Sequence, residues 1–234
     1  MVRRMKQIID LYDINFQYRK LLREVYDLGI VTAPRGKKIK EIIPYSFAID
    51  PHKNVITLDG VKTNLQYANL ELDWYYAATN NIHWSDKIAK IWNRFSDDGK
   101  TVNSAYGHRI FGGHEEFINQ WEWIKDKLTE DPDSRQCVMN INWVKDKEKP
   151  TKDFPCTVYI QIFIRDNKLI WITNMRSNDV YFGLRNDVYC FCEMQKRLAK
   201  ELGIECGLYH HYAGSMHLYE EQFEKVEKFL EVKQ

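Results

Sequence analysis

The chain has 234 residues, of which 44% are hydrophobic and 29% charged, with a formal net charge of +1. That balance suits one sizeable globular domain and is too near neutral for a general polyanion binder, and no apolar run approaches the roughly 18–20 residues of a membrane span. Five cysteines (Cys137, Cys156, Cys190, Cys192 and Cys206) form neither a C-x-x-C metal pair nor an even-numbered secreted framework, so a reducing cytoplasm is the expected compartment.

The N-terminal MVRRM leads into no sustained apolar core and no small-residue cleavage site, and reads as helix rather than signal peptide. Residues 5–28 place Ile8, Ile9, Leu11, Tyr12, Phe16, Leu21, Leu22 and Val25 at helical spacing, closed by Gly29. VTAPRGKKIKEI follows as a basic loop and IIPYSFAI as a strand. Residues 64–78 predict a mostly buried helix, and 85–95 another, ended by the turn signal DDGK. HEEFINQWEWIKDKL carries a further helical pattern, stopped by EDPDSR. From Gln136 the register becomes that of strands in QCVMNINW, CTVYIQIFIRD and KLIWITNMR, with RDNK as the hairpin turn between the last two. Helix returns over 187–202 and stops at Gly203, ECGLYHHYAGSMHLY is extended, and a charged amphipathic helix spans 220 to about 232. No repeat or linker interrupts the chain. The expected class is α/β, with 1–234 as one domain.

One stretch, NMRSNDVYFGLRNDV at 174–188, holds two arginines, two aspartates and three asparagines with a single glycine and no proline. A solvated loop would carry more turn-formers and a buried strand fewer charges, so these polar groups are arranged around something. Upstream, DFPCTVYIQ puts Cys156 after a proline at the start of an apolar strand. A lone cysteine there is ordinarily a small buried hydrophobe. A nucleophile needs a nearby cation to form its thiolate, and Arg176 can supply one if the two β-runs pair.

In order and spacing, the proline–cysteine pair, the hairpin, RSNDVYFGLRND and GSMHLY resemble the thymidylate synthase superfamily. LELDWYY, KIWNRF, NSAYG and DPDSR are similar to its glutamate helix, tryptophan segment, tyrosine–glycine turn and subunit-crossing arginine loop. The resemblance covers about residues 35–219. It implies a mixed sheet packed with helices, and a homodimer whose sheets face each other and whose active sites are shared. It also implies a pyrimidine nucleotide substrate, 5,10-methylenetetrahydrofolate as co-substrate and no metal. Cys156 matches the cysteine that adds to carbon 6 of the base. Glu71 matches the carboxylate that organises water and proton transfer, and its apolar neighbours on the helix suggest burial that raises its pKa. Tyr106 matches the tyrosine that assists proton removal at carbon 5. Arg176 and Ser177, with Arg35 and an Arg135 from the other subunit, match the 5′-phosphate site. His217 and Tyr219 match the pair that bonds the sugar 3′-hydroxyl. Trp92, Asp179 and Gly183 match the folate side, Gly183 as a turn that lets backbone approach the ligand.

Where the synthases carry an asparagine that reads uracil, this chain has Asp187. Cytosine inverts the uracil edge, offering a 4-amino donor and an N3 acceptor, and a carboxyl group with one shared proton completes that pairing. The block is similar to that of the phage deoxycytidylate hydroxymethylase branch of the superfamily, with its asparagine–methionine lead-in, Arg185 in place of a proline, and Thr157 after the cysteine. The expected reaction is therefore hydroxymethylation of carbon 5 of dCMP, with water capturing the one-carbon intermediate. Only fifteen residues follow Tyr219, so the water-excluding C-terminal tail of the synthases is expected to be absent. Gln136 stands where the synthases place a second arginine, which weakens the expected phosphate clamp. The alternatives are a dUMP hydroxymethylase or thymidylate synthase, and a catalytically idle nucleotide- or RNA-binding homologue; nucleic acid and membrane are not expected partners.

Overall fold

A computed structural model describes residues 11–112 and 118–231. Ile8, Ile9 and the segment 113–117 lie outside the described residues. Helix α1 (Ile14–Leu28) starts at Asp13, whose carboxylate accepts from the Asn15 N–H at 2.8 Å, and it buries Ile14, Tyr18, Leu21, Leu22 and Val25. Leu11 and Phe16 do not share that stripe and are nearly half exposed. Leu11 precedes the cap, and Phe16 lies about 200° around the helix from Ile14.

The basic segment expected as a loop is partly sheet. Strands β1 (Ile30–Thr32) and β2 (Ile39–Ile42) pair antiparallel across a turn at Pro34–Gly36 in which Arg35 and Gly36 have φ of 54° and 76°. Lysines hide the strand pattern because their stems can cover apolar surface. Lys40 lies with Nζ 4.0 Å from the Tyr26 ring centroid. After β3 (Tyr45–Ile49), helices α2 (Leu65–Tyr76) and α3 (Asp86–Trp92) fall inside the ranges that the sequence predicts. Helix α4 (Tyr106–Phe111) was legible only as a turn. Its Gly107 is pressed against α2, where a Cβ would lie 2.0 Å from the Tyr75 carbonyl oxygen. Helix α5 (Gln120–Glu130) follows.

The rest is sheet and crossover: β4 (Val138–Asn140), β5 (Thr157–Arg165), β6 (Lys168–Asp179), α6 (Gly183–Glu201), β7 (Glu205–Tyr219) and α7 (Phe223–Glu231). The strand order is β1-β2-β7-β6-β5-β4, and β3 pairs with the first half of β7. β5 and β6 form the expected hairpin, turning at Asp166 and Asn167 with φ of 51° and 55°. β6 and β7 run parallel, which requires a crossover, and α6 supplies it. That helix begins one turn before the expected 187, so Asp187 sits on its second turn rather than at its start.

Alternation along β6 buries Leu169, Trp171, Thr173 and Met175 against the helices. Trp171 meets Trp121 and Phe191 with ring centroids 6.4 and 6.5 Å away. Each such fully buried side chain stabilises by roughly 1.5–3 kcal/mol. The other face, with Phe163, Ile170 and Ile172, is only half covered. No helix among the described residues is long and apolar enough to cross a membrane.

Candidate active site

Pairing of β5 with β6 sets the Arg176 N–H 2.8 Å from the Cys156 carbonyl oxygen. The Arg176 guanidinium is then tied to the same loop, with Nε donating to the Pro155 carbonyl at 3.0 Å and Nη2 to the Phe154 carbonyl at 2.8 Å. These two anchors hold Nη2 3.5 Å from Cys156 Sγ. Ser177 Oγ accepts from Arg176 Nη1 at 3.1 Å and lies 3.9 Å from Sγ. Burial raises the Cys156 thiol pKa, and the Arg176 cation is the main influence in the other direction. The thiol is thus protonated at rest, with a fixed cation beside it that favours the thiolate.

Glu71 lies on α2 and is 5% exposed. Tyr67 and Tyr75 stand four residues to either side, on the same helix face. Tyr75 O–H donates to Glu71 Oε1 at 2.8 Å, the Tyr67 hydroxyl also bonds the carboxylate, and Asn186 Nδ2 donates to Oε2. Burial is the largest influence on this group and raises its pKa, as the sequence predicts, while the three donors act against it. Trp92 Nε1 donates to Tyr67 Oη at 3.0 Å, so the tryptophan segment reaches Glu71 through one tyrosine. Trp92 packs on Trp74 and Phe95, each with centroids 5.6 Å away. Tyr106 stacks on Phe191 at 5.8 Å, and its hydroxyl accepts from the Thr157 N–H at 3.2 Å, next to Cys156.

Asp187 faces this cluster from α6. Its Oδ2 accepts from Asn178 Nδ2 at 2.7 Å. Burial lifts its pKa to about 8, the charge of Glu71 contributes next, and the Asn178 bond opposes both. Asp179, the third acid, accepts at Oδ1 from the Tyr181 N–H at 2.9 Å. Gly183, expected as a turn, stands as the first residue of α6. A Cβ there would lie 3.2 Å from Asn178 Nδ2 and 3.4 Å from Asp187 Oδ2, so the absent side chain leaves room for that hydrogen bond.

Asp179 pairs in register with His217 of β7. Burial lowers the His217 pKa and Asp179 partly offsets it. His217 and Tyr219 rings meet edge to face at 5.1 Å; burial raises the Tyr219 phenol pKa, and the nearby Arg35 cation acts against that rise. Arg135 stands apart: it is exposed before β4, and its carbonyl accepts from Gln161 Nε2 at 3.2 Å. The structure therefore gathers Cys156, Arg176, Ser177, Glu71, Tyr106, Asp187, Asp179, Trp92, Gly183, His217, Tyr219 and Arg35, and leaves Arg135 outside. Sequence reasoning missed Tyr67, Tyr75, Asn186 and Asn178. The four-residue spacing around Glu71 could have pointed to the two tyrosines; nothing local marks the two amides. An open depression of about 980 Å³ lined by Asp50, Arg165, Lys196, Cys206 and His210 shares no residue with this cluster.

The thymidylate synthase family model matches residues 16–234. The chain is also similar to the deoxyuridylate hydroxymethyltransferase of Bacillus phage SP01, with 31% identity over 214 residues, covering 86% of this chain and 56% of that one. It therefore spans little more than half the length of that relative. The family match takes in every strand from β1 to β7 and the whole of the cluster built around Cys156 and Asp187, and on it the chain belongs to the thymidylate synthase family.

Proposed function

We propose that this protein hydroxymethylates carbon 5 of deoxycytidylate, with 5,10-methylenetetrahydrofolate as one-carbon donor and water as the source of the hydroxyl. The observation that carries the reading is Asp187, a carboxyl lifted to about 8 at the inner end of the cluster. Near pH 7 it is mostly the neutral acid, with one O–H donor and one acceptor oxygen. Cytosine presents the matching N3 acceptor and 4-amino donor.

Arg176 and Ser177 hold the 5′-phosphate, joined by Arg35 on its turn and by Arg135 from a second subunit. His217 and Tyr219 take the 3′-hydroxyl. Cys156 Sγ, deprotonated under the field of Arg176, adds to carbon 6, and the electron pair moves to carbon 5. Carbon 5 bonds to the one-carbon unit, and its proton leaves with help from Tyr106 and the water held by Glu71. The bond from the one-carbon unit to the folate nitrogen breaks, releasing tetrahydrofolate and leaving an exocyclic methylene. Water then adds to the exocyclic methylene, the C5–C6 double bond re-forms, and Cys156 departs with its electron pair. The half-buried Trp92 beside Tyr67 offers a flat surface for a planar heterocycle, and Asp179 offers a hydrogen-bonding carboxyl. These residues would hold the folate, which supplies carbon at the formaldehyde oxidation level. The half-covered sheet face with Phe163, Ile170 and Ile172 suits pairing with a second copy, and residues 1–234 act as one domain in the cytoplasm.

A second reading is hydroxymethylation of dUMP, favoured by the similarity to the deoxyuridylate hydroxymethyltransferase of phage SP01. The decisive experiment incubates the protein with methylenetetrahydrofolate and dCMP or dUMP, weighs the product and follows dihydrofolate absorbance. A hydroxymethyl group on dCMP without dihydrofolate is the expected result. The same group on dUMP alone selects the second reading. A methyl group with dihydrofolate means an ordinary synthase, and nucleotide binding unaffected by Cys156→Ala with no product at all means an idle homologue.

A further inference from the structure

Behind Asp187 runs a line of buried polar side chains that the reaction above does not use. Trp171 Nε1 is 3.1 Å from Thr173 Oγ1, and the Thr173 hydroxyl bonds the Tyr209 phenol. Tyr209 Oη is 2.9 Å from His211 Nδ1, and His211 Nε2 is 3.0 Å from Asn178 Oδ1. Asn178 Nδ2 then reaches Asp187 Oδ2 at 2.7 Å. Trp171, Thr173, Tyr209, His211 and Asn178 are all at most 3% exposed, so water does not compete for any link. The line exists because β6 and β7 run parallel with Trp171 opposite Tyr209 and Thr173 opposite His211.

The line has a direction. An indole N–H only donates, so Thr173 Oγ1 accepts from Trp171 and passes its own proton to Tyr209 Oη. Tyr209 in turn gives its O–H to His211 Nδ1. Burial keeps His211 neutral, with its pKa lowered to about 3, so the ring has one N–H, and that one is on Nε2. It donates to Asn178 Oδ1, which fixes the amide with Nδ2 toward Asp187.

We propose that Asn178, His211 and Tyr209 are positioning residues that hold Asp187 Oδ2 as an acceptor and so place the carboxyl proton on Oδ1. This rests on the assignment of Asp187 to base recognition. A neutral carboxyl whose proton can swap oxygens reads cytosine in one form and uracil in the other. A carboxyl whose proton is pinned reads one of them. With Oδ1–H against N3 and Oδ2 accepting from the 4-amino group, the pinned form reads cytosine; uracil, with N3–H and a 4-oxo group, faces donor with donor and acceptor with acceptor. The other charged groups facing Asp187 are Glu71 from α2 and Asp179 from β6, both anionic influences that favour its neutral form without choosing an oxygen.

The test measures kcat/KM for dCMP and dUMP, and the dissociation constants of both nucleotides, in the wild type, Asn178→Ala, His211→Phe and His211→Gln. Phenylalanine keeps the stack on Phe47, now 5.2 Å between centroids, but breaks the line; glutamine can accept from Tyr209 and donate to Asn178. Breaking the line is expected to move the dCMP:dUMP ratio toward unity by about 10- to 100-fold, the span of one buried hydrogen bond. His211→Gln should restore most of it. Asn178→Ala should also shift the alkaline limb of the pH profile upward, because its bond opposes the raised pKa of Asp187. Equal losses for both nucleotides, with the ratio unchanged in folded variants, would overturn the proposal. If Asn178→Ala does not fold, the His211 pair decides alone, and if turnover is absent the dissociation constants do. A wild type that prefers dUMP defeats the dCMP reading and with it the proton on Oδ1, whereas a wild type that prefers dCMP by a ratio the variants do not move defeats the line alone.

Discussion

Replacing Asp187 by asparagine removes a group that the fold holds uncharged against its own preference. In the unfolded chain this carboxyl titrates near 3.8; in the fold it titrates at about 8. The folded state binds the proton more tightly, so its stability is fully present below pH 3.8 and is lost as pH rises toward 8. At about 1.4 kcal/mol per pH unit, the loss at pH 7 is roughly 4 kcal/mol, an upper bound because Glu71 shares in it. An amide does not titrate. Asp187→Asn should therefore be increasingly more stable than the wild type as pH rises, its advantage at pH 8 exceeding that at pH 5 by roughly 2–4 kcal/mol. Urea unfolding of both proteins at pH 5, 6, 7 and 8 measures this directly. In turnover, the wild type should lose about tenfold in kcat/KM for dCMP per unit above pH 8, and activity remaining in the variant should lack that limb. A stability gap that does not change with pH would refute the claim that Asp187 is held as the acid.

Other outcomes follow from the same geometry. Arg176→Lys keeps a charge but cannot reach the Phe154 and Pro155 carbonyls and Sγ together, so alkylation of Cys156 at pH 8 should slow by about tenfold. Glu71→Gln should lower kcat by about 10²- to 10⁴-fold and leave nucleotide binding within a few-fold, measured by single turnover and calorimetry. Gly107→Ala forces a Cβ to within 2.0 Å of the Tyr75 carbonyl oxygen, and should cost more than about 3 kcal/mol or fail to fold, read from the melting midpoint.

The hairpin, the crossover helix and the last strand were legible because their apolar periods are unbroken from Gln136 onward. The β1–β2 pair was not, because Lys37, Lys38 and Lys40 give it a loop's composition, while in the fold Lys40 sets its ammonium over the Tyr26 ring. Cys156, Arg176, Glu71 and Asp187 were found through their order along the chain. Asn178 and His211 were not, since an asparagine between a serine and an aspartate and one of two adjacent histidines carry no local signal. Their role appears only when parallel pairing of β6 and β7 aligns them. Sequence order marks the residues of the family's motifs; the partners behind them depend on register between strands far apart in the chain.

Two buried acids, Glu71 and Asp187, repel one another, and their hydrogen-bond donors decide which keeps the charge. Glu71 receives Tyr75 O–H on Oε1, Asn186 N–H on Oε2, and the Tyr67 hydroxyl. Both its oxygens are committed as acceptors, the arrangement that favours a carboxylate. Asp187 receives one N–H, on Oδ2, and its other oxygen is left for a proton. The charge of Glu71 is the second-largest influence raising Asp187. Burial raises both acids, and the donor count favours the charged form at Glu71 more than at Asp187. That preference suits the proposed roles, Glu71 as a base that orders water and takes protons and Asp187 as an acid that donates to N3. Adding donors to Asp187 or removing them from Glu71 would reverse the division, and a site with the charge on Asp187 would lose its hydrogen-bond donor toward cytosine.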